Sequence, residues 1–374
     1  MASGRERVLA TLGREEPDRI PIDYWADAEV SARLRELLGA PDQEALLRAL
    51  HVDLRYVMGP RYRGQQLARR DDGLVIDHWG VPRRPMTVEG VDRTGRAWSW
   101  SYQHVDAPPL EKATSVREIE EYSGWPTADA WDYSGVRAEC ERARAAGCAV
   151  VQGGDRLDRT AQLKPAMYLR GAEAFLSDLL LEPAMAQCLL ERIVHYYLDY
   201  GERLFRAASE GEGEGVIDIF FMGDDMGTQT GPWISPRLYR AFFKENFRRY
   251  NELAHRFGVR TMYHTCGNVT ALIPDFIDCG LDVLQSLQPA AMDLAALKRE
   301  YGRHLCFQGG IDIQSTMPQG TPAEVRAEVR TRAETLGPGG GYIFCTAHNL
   351  LPDVPTENLQ ALFEAYLEHG RYRP

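Results

Sequence analysis

Residues 260–268 read RTMYHTCGN, a short strand-forming run that ends in His264, Cys266 and Gly267. The same grammar recurs four more times. VIDIFFM (216–222) runs into Gly223-Asp224-Asp225, and LDVLQSLQP (281–289) carries polar residues from Gln285 to Gln288. HLCFQGG (304–310) leads to Gln308-Gly309-Gly310-Ile311-Asp312, and GYIFCTAHN (341–349) closes on Cys345-Thr346-Ala347-His348-Asn349. Strands that begin apolar and finish in reactive side chains are the pattern of a parallel α/β barrel, whose functional groups sit at the carboxyl ends of the strands.

Working back towards the amino terminus, RIPIDYW (19–25), LRYVMG (54–59) and AVVQGG (149–154) complete a set of eight runs, each too short for a helix and bounded by Gly or Pro. Helices fill the intervals. Ser115-Val116-Arg117-Glu118 is a capping box, and Ser235-Pro236 opens a helix stopped by Gly258. Thr321-Pro322-Ala323-Glu324 begins another that ends at Gly337-Pro338-Gly339, and a last helix starts near Thr356 with Leu359, Leu362, Phe363 and Tyr366 on one face. Residues 73–107 alternate like a β-hairpin with a turn near Asp92–Gly95. The expectation is one α/β domain over 1–374, a (β/α)8 TIM barrel with a β-hairpin insertion early in the chain. Gly337-Pro338-Gly339-Gly340-Gly341 precedes a strand, so it reads as a connection and not as a phosphate loop.

The 374 residues carry 43 Lys+Arg against 54 Asp+Glu, a formal net charge of −11. That balance argues against a nucleic-acid partner, which needs clustered basic charge. The charged start, MASGRERVLATLGREEPDRIP, is not a secretory leader, and no run reaches the ~18 apolar residues that span a bilayer. Seven scattered cysteines in such a chain read as reduced thiols in the cytoplasm.

His264-x-Cys266 is the sharpest chemical signal. Residues i and i+2 of a strand share a face, so imidazole and thiolate converge while Thr265 points away. Both suit a borderline-soft ion such as zinc. A catalytic zinc takes three protein ligands and keeps one position open; Cys345 and His348 are the two candidates for the third. Asp224, Asp225 and Asp312 are candidates for proton handling or substrate orientation. Gln229, Trp233, Tyr263, Gln308 and Asn349 are candidates to line the pocket. No dinucleotide, Walker, nucleophile-elbow or HExxH signature is present.

RERVLATLGREEPDRIPID, GDDMGTQTGPWISPRLYRAFF, HTCGNVTALIPDFIDCGLDVLQSLQP, FQGGIDIQSTMPQGTPAEV and GPGGGYIFCTAHNLLPDVPTENLQALFEAY together resemble the uroporphyrinogen decarboxylase superfamily, specifically its methyltransferase-like branch. The resemblance implies a (β/α)8 barrel holding zinc through a His-x-Cys pair, here His264 and Cys266, and a group on the last strand. Matching LPDVPTENL to the family's Pro-x-x-Pro-x-x-Asn ending puts that group at His348, where coenzyme M methyltransferases have cysteine; either Cys345 substitutes there or the ligand set is His/Cys/His. True decarboxylases carry an Arg-Gln-Ala-Gly-Arg motif that holds porphyrin carboxylates. Here RIPIDYWADAEV has no arginine between Arg19 and Arg33, so heme biosynthesis is not expected. The implied activity is zinc-dependent methyl transfer between a small methylated substrate or thiol and a corrinoid on a partner protein. The alternatives are a metal-independent decarboxylase or lyase of a small acid, and a non-catalytic barrel that binds a corrinoid or tetrapyrrole.

Overall fold

In the computed structural model, which describes residues 2–65, 67–69, 73–153, 159–209 and 215–372, seven of the expected strands pair in chain order. They are β1 (Leu54–Val57), β2 (Ala149–Gln152), β3 (Ile219–Asp224), β4 (Arg260–Thr265), β5 (Val283–Leu287), β6 (Cys306–Ile311) and β7 (Tyr342–Thr346). Every neighbouring pair is parallel. The final residue of the AVVQGG run, Gly154, lies outside the described residues.

Strand alternation sorts the side chains into two cores. Leu54, Val151, Phe221, Met262, Val283, Cys306 and Ile343 gather in one buried inner cluster. Val150, Phe220, Tyr263, Leu284, Phe307 and Phe344, of opposite parity, pack outward beneath the helices. An inner cluster fed by all seven strands means that the sheet curls around it, giving a TIM-barrel-like α/β fold. The helix Gly4–Leu12, started by a Ser3/Glu6 capping box, adds Val8 and Leu12 to that cluster. The Cys306 thiol meets the carbonyls of Thr11 and Leu12 at 3.6 and 3.7 Å, so this helix stops the amino-terminal end of the sheet.

The expected first strand, 19–25, does not join the sheet as a strand. It is an extended segment tied to the sheet by an isolated bridge between Ile22 and Phe344, with a second bridge from Arg19 to Arg371. Its hydrogen bonds nevertheless reach both edge strands. Phe344 N–H donates to Pro21 and Asp23 N–H to Phe344 on the β7 side, while Asp53 N–H, just before β1, donates to Ile22. Pro21 has no N–H to give, and the Ile22 N–H is taken by the Asp53 carboxylate at 2.9 Å, so a regular ladder cannot propagate.

Residues Pro82–Val91 and Ala97–Val105 form an antiparallel hairpin, extended by Val75–Ile76. Its turn is fixed by the Asp92 carboxylate, which accepts from the N–H groups of Thr94 and Arg96. The capped helices at Ser115, Ser235 and Thr321 form as expected. The helix from Pro236 is interrupted at Phe243, whose carbonyl accepts from Gln162, and resumes over Lys244–Arg256. No helix among the described residues is long and apolar enough to cross a membrane.

Asp53 ties three pieces together at the base. Its carboxylate, 2% exposed with its residue, meets Arg7 at 2.7 Å and Arg19 at 2.6 Å besides the Ile22 N–H. Removing one partner of a buried ion pair strands the other charge. Asp53→Ala is therefore expected to lower the unfolding free energy by roughly 3–5 kcal/mol, read from urea melts at unchanged slope. A loss near zero would mean that the two arginines find other partners.

Candidate metal centre

On β4, Met262 and His264 take the inward parity and Tyr263 the outward one. Tyr263 accordingly packs in the outer core against Phe247 and Phe276, with ring centroids 4.6 and 5.4 Å away. His264 is buried and its ring is clamped, stacked on Trp25 at 5.7 Å and edge-on to Phe221 at 6.3 Å. Its Nδ1 is hydrogen-bonded to Oε1 of Gln285, the residue in register with it on β5. An amide oxygen only accepts, so this contact is made in the tautomer with the proton on Nδ1; Nε2 faces Cys266 Sγ at 3.3 Å and Asp225 Oδ1 at 3.5 Å.

After Thr265 the chain turns sharply. Gly267 adopts a φ of +81°, and its backbone presses on Gly227, where an added Cβ would lie 2.4 Å from the Gly227 carbonyl carbon. The Gly267 N–H is taken by the Gln288 side chain. This turn brings the Cys266 sulfur to 3.3 Å from His264 Nε2. From the last strand, His348 completes a group: ligand atoms of His264, Cys266 and His348 all lie within 4.8 Å of one another.

Two imidazoles and a thiol are a donor set for zinc or a similar borderline ion. At bond lengths of ~2.05 Å to nitrogen and ~2.3 Å to sulfur, tetrahedral ligands sit about 3.4–3.6 Å apart. The His264–Cys266 separation of 3.3 Å nearly meets that already. The residues fit a zinc ion with one coordination position left over.

Cys345 is not part of this group. It shares the inward parity of Ile343 and is 1% exposed in the inner apolar cluster. Burial, and then the nearby Asp23 carboxylate, push its thiol well above the usual range. His348, three residues on and past the end of β7, is at the mouth instead.

The three acidic candidates separate. Asp224 is buried and accepts from the N–H groups of Gln162, Leu163 and Lys164 at 2.7, 3.0 and 2.6 Å, capping the start of the helix Leu163–Arg170. Burial pushes its carboxyl up to about 6 against those donors. It is occupied by structure and does not face the cluster. Asp312 closes its own turn through Gln314 N–H and the Ser315 hydroxyl. Asp225 alone borders the site, with Oδ1 3.5 Å from His264 Nε2 and Oδ2 2.6 Å from Lys164 Nζ. Burial works to raise it, and His264 and Lys164 overcome that and hold it well below the usual carboxylate range.

Of the pocket candidates, Gln308 is buried and donates to Asp23, and Asn349 is half-buried beside His348. Gln229 and Trp233 are exposed on the loop after β3. Sequence reasoning missed Asp23, Trp25, Tyr56, Lys164 and Gln285. Asp23 and Trp25 are i and i+2 on an extended segment, a signal that was available. Tyr56 donates to Asp23 at 2.7 Å and accepts from Trp25 Nε1 at 2.9 Å, so the plate under His264 is itself fastened. Burial, opposed first by the Tyr56 hydrogen bond, raises the Asp23 carboxyl to about 6.

Comparison with known proteins gives the family. Residues 160–369 match the family model described as uroporphyrinogen decarboxylase (URO-D). Among curated proteins, the chain is 26% identical over 156 residues to the methylcobamide:CoM methyltransferase MtaA of Methanosarcina barkeri, covering 42% of this chain and 43% of that one. It is 27% identical over 196 residues to the uroporphyrinogen decarboxylase of Chlorobium phaeobacteroides, half of each chain. The chain thus spans about half the length, or less, of the curated relatives it matches. A solved methyltransferase from Methanosarcina mazei superposes over 98% of this chain and 99% of its own, with a TM-score of 0.66 and 18% identity, a likeness of fold. With more than half of its length matched by one family model, the chain belongs to the uroporphyrinogen decarboxylase family.

Proposed function

We propose that this protein is a zinc-dependent methyltransferase that moves a methyl group between a small methylated substrate or thiol and a corrinoid on a separate partner protein. One observation carries the reading: His264 Nε2, Cys266 Sγ and a His348 ring nitrogen converge beyond the carboxyl ends of β4 and β7. The similarity to a methylcobamide:CoM methyltransferase over 42% of the chain supports the reaction class. Asp224 and Asp312 are tied up in structure, which leaves Asp225 as the acidic group of the site. Arg19 and Arg33 flank the segment where a porphyrin clamp is absent; they are engaged by Asp53 and by Glu29 with the Val354 carbonyl.

Held by His264, Cys266 and His348, zinc would supply a Lewis acid that lowers the pKa of an incoming thiol or polarises a methylated heteroatom. The chain's own residues do the rest. Trp25 and Phe221 fix the plane of the His264 ring. Lys164 neutralises Asp225, so that its carboxylate orients Cys266 through a long contact of 3.4 Å from the Cys266 N–H without leaving a net negative charge.

Freshly purified protein is expected to carry one zinc per chain by elemental analysis. Stripping it with a chelator should abolish demethylation of methylcobalamin by an added thiol, and zinc should restore it. His264→Ala and Cys266→Ala should lose the metal, whereas Cys345→Ala should keep it. Stripped protein as active as the reloaded form would end this reading.

The thiol also sets a pH dependence. Burial, and then Asp225, push Cys266 up to about 12 in the metal-free protein. Burial lowers His264, which is neutral already. Since the ligand is the thiolate, each ion bound expels one proton. Zinc affinity is expected to rise about tenfold per pH unit between roughly pH 7.5 and 9. A flat profile in a competition titration would show that the sulfur is not a ligand.

A further inference from the structure

We propose that Gln285 is a positioning residue whose side-chain carbonyl selects the tautomer of His264 and thereby readies Nε2 for the metal. The inference rests on the zinc reading for its consequence, and on the geometry of Gln285 alone for its mechanism.

Gln285 faces His264 across the β4–β5 pair, in register with it. Both residues are inward by parity, standing two positions above Met262 and Val283 of the inner cluster. Gln285 is 0% exposed and His264 2%, so water does not compete for the contact between them. The His264 ring is held between Trp25 and Phe221, which fixes its plane, and the contacts of its two nitrogens fix its sense. In that orientation Nδ1 points at the Gln285 amide and Nε2 at the Cys266 sulfur.

Two arrangements of the amide are conceivable. If the amide nitrogen faced Nδ1, it would donate, and the ring proton would move to Nε2, where it would occupy the lone pair a metal needs. With Oε1 facing Nδ1, as it does here, the proton is drawn to Nδ1 against the pull of the Asp225 carboxylate 3.5 Å from Nε2, which keeps its lone pair, and the Gln285 amide nitrogen is left buried without a partner. A neutral amide also does this without adding a carboxylate beside Cys266, whose thiolate already brings negative charge. Outer partners of metal-binding histidines fix ring orientation and tautomer in the same way, and their loss weakens metal binding about 10–100-fold.

The test compares wild type with Gln285→Leu, Gln285→Met and Gln285→Glu in the full-length protein. In metal-free protein labelled with 15N-histidine, wild-type His264 is expected to show a pyridine-like Nε2 and a protonated Nδ1. Gln285→Leu should lose that single tautomer and bind zinc about 10–100-fold more weakly by competition with a chelating dye. Gln285→Glu, an acceptor of the same shape, should retain both properties. Gln285→Met, close to glutamine in length, gives the same comparison should the leucine variant unfold in a thermal melt. Wild-type metal-free protein with the proton on Nε2, or a leucine or methionine variant that keeps both the tautomer and the affinity, overturns the proposal. A wild-type protein that shows the expected tautomer but takes up no zinc overturns the functional reading and leaves the positioning role supported.

Discussion

Contact between two glycine backbones, Gly227 and Gly267, decides where the sulfur of Cys266 can be. An added Cβ at Gly227 would sit 2.7 Å from the Cys266 carbonyl oxygen, and one at Gly267 would sit 2.4 Å from the Gly227 backbone. Gly267 also needs its positive φ, which only glycine adopts without strain. Were β4 to continue straight past Thr265, residues 264 and 266 would stand roughly 6.8 Å apart along the strand. The turn shortens their functional atoms to 3.3 Å, and the loop after β3 is what holds the turn in place through Gly227 N–H to Cys266 O and Asn268 N–H to Thr228 O. The His-x-Cys pair is therefore a property of two loops as well as of one strand.

This explains why the site was partly legible in the sequence. Alternation and strand ends bring His264 and Cys266 to one place, and that argument needs no coordinates. The choice between Cys345 and His348 does need them. On a strand that ended one residue earlier or later, the parity of either residue relative to the mouth would change. β7 ends at Thr346, which leaves Cys345 in the inner core and frees His348 to turn over the opening. Tyr263 was legible too: a residue adjacent to an inward histidine on a strand must point outward. Trp25 and Asp23 were passed over for a different reason. Their segment was read as a strand, and strands of a barrel place side chains in layers, but this one meets the sheet through an isolated bridge at Ile22 and stacks Trp25 on the His264 ring.

Asp224 and Asp225 show how far a residue type falls short of a role. They are neighbours in sequence and chemically identical, yet one collects three backbone N–H groups and the other lies between a lysine and a histidine. A carboxylate receiving the free N–H groups of a helix start is satisfying donors that otherwise have no partner within the helix. That use fixes Asp224 to the helix Leu163–Arg170, and the helix in turn delivers Lys164 to Asp225. The capping residue and the site residue are thus parts of one device, in which the structural carboxylate positions the cation that balances the functional one.

Charge balance then connects the site to its depth in the fold. Lys164 and Asp225 cancel, Gln285 adds none, and the Arg159 guanidinium lies over the Trp25 and Phe221 rings at 5.2 and 4.6 Å, adding positive charge at the wall. A divalent ion held by two neutral imidazoles and one thiolate would carry a net charge of +1 in a pocket walled by Trp25 and Phe221. A low-dielectric surrounding makes an unbalanced charge costly, and an anionic ligand at the open position is the direct remedy. Replacing the third ligand by cysteine, as in a His/Cys/Cys set, would cancel that +1 beforehand and weaken the pull on an incoming anion. By this reasoning, histidine at 348 would make the proposed centre more electrophilic than a cysteine there, and an incoming thiol would be deprotonated more readily and its thiolate held more tightly.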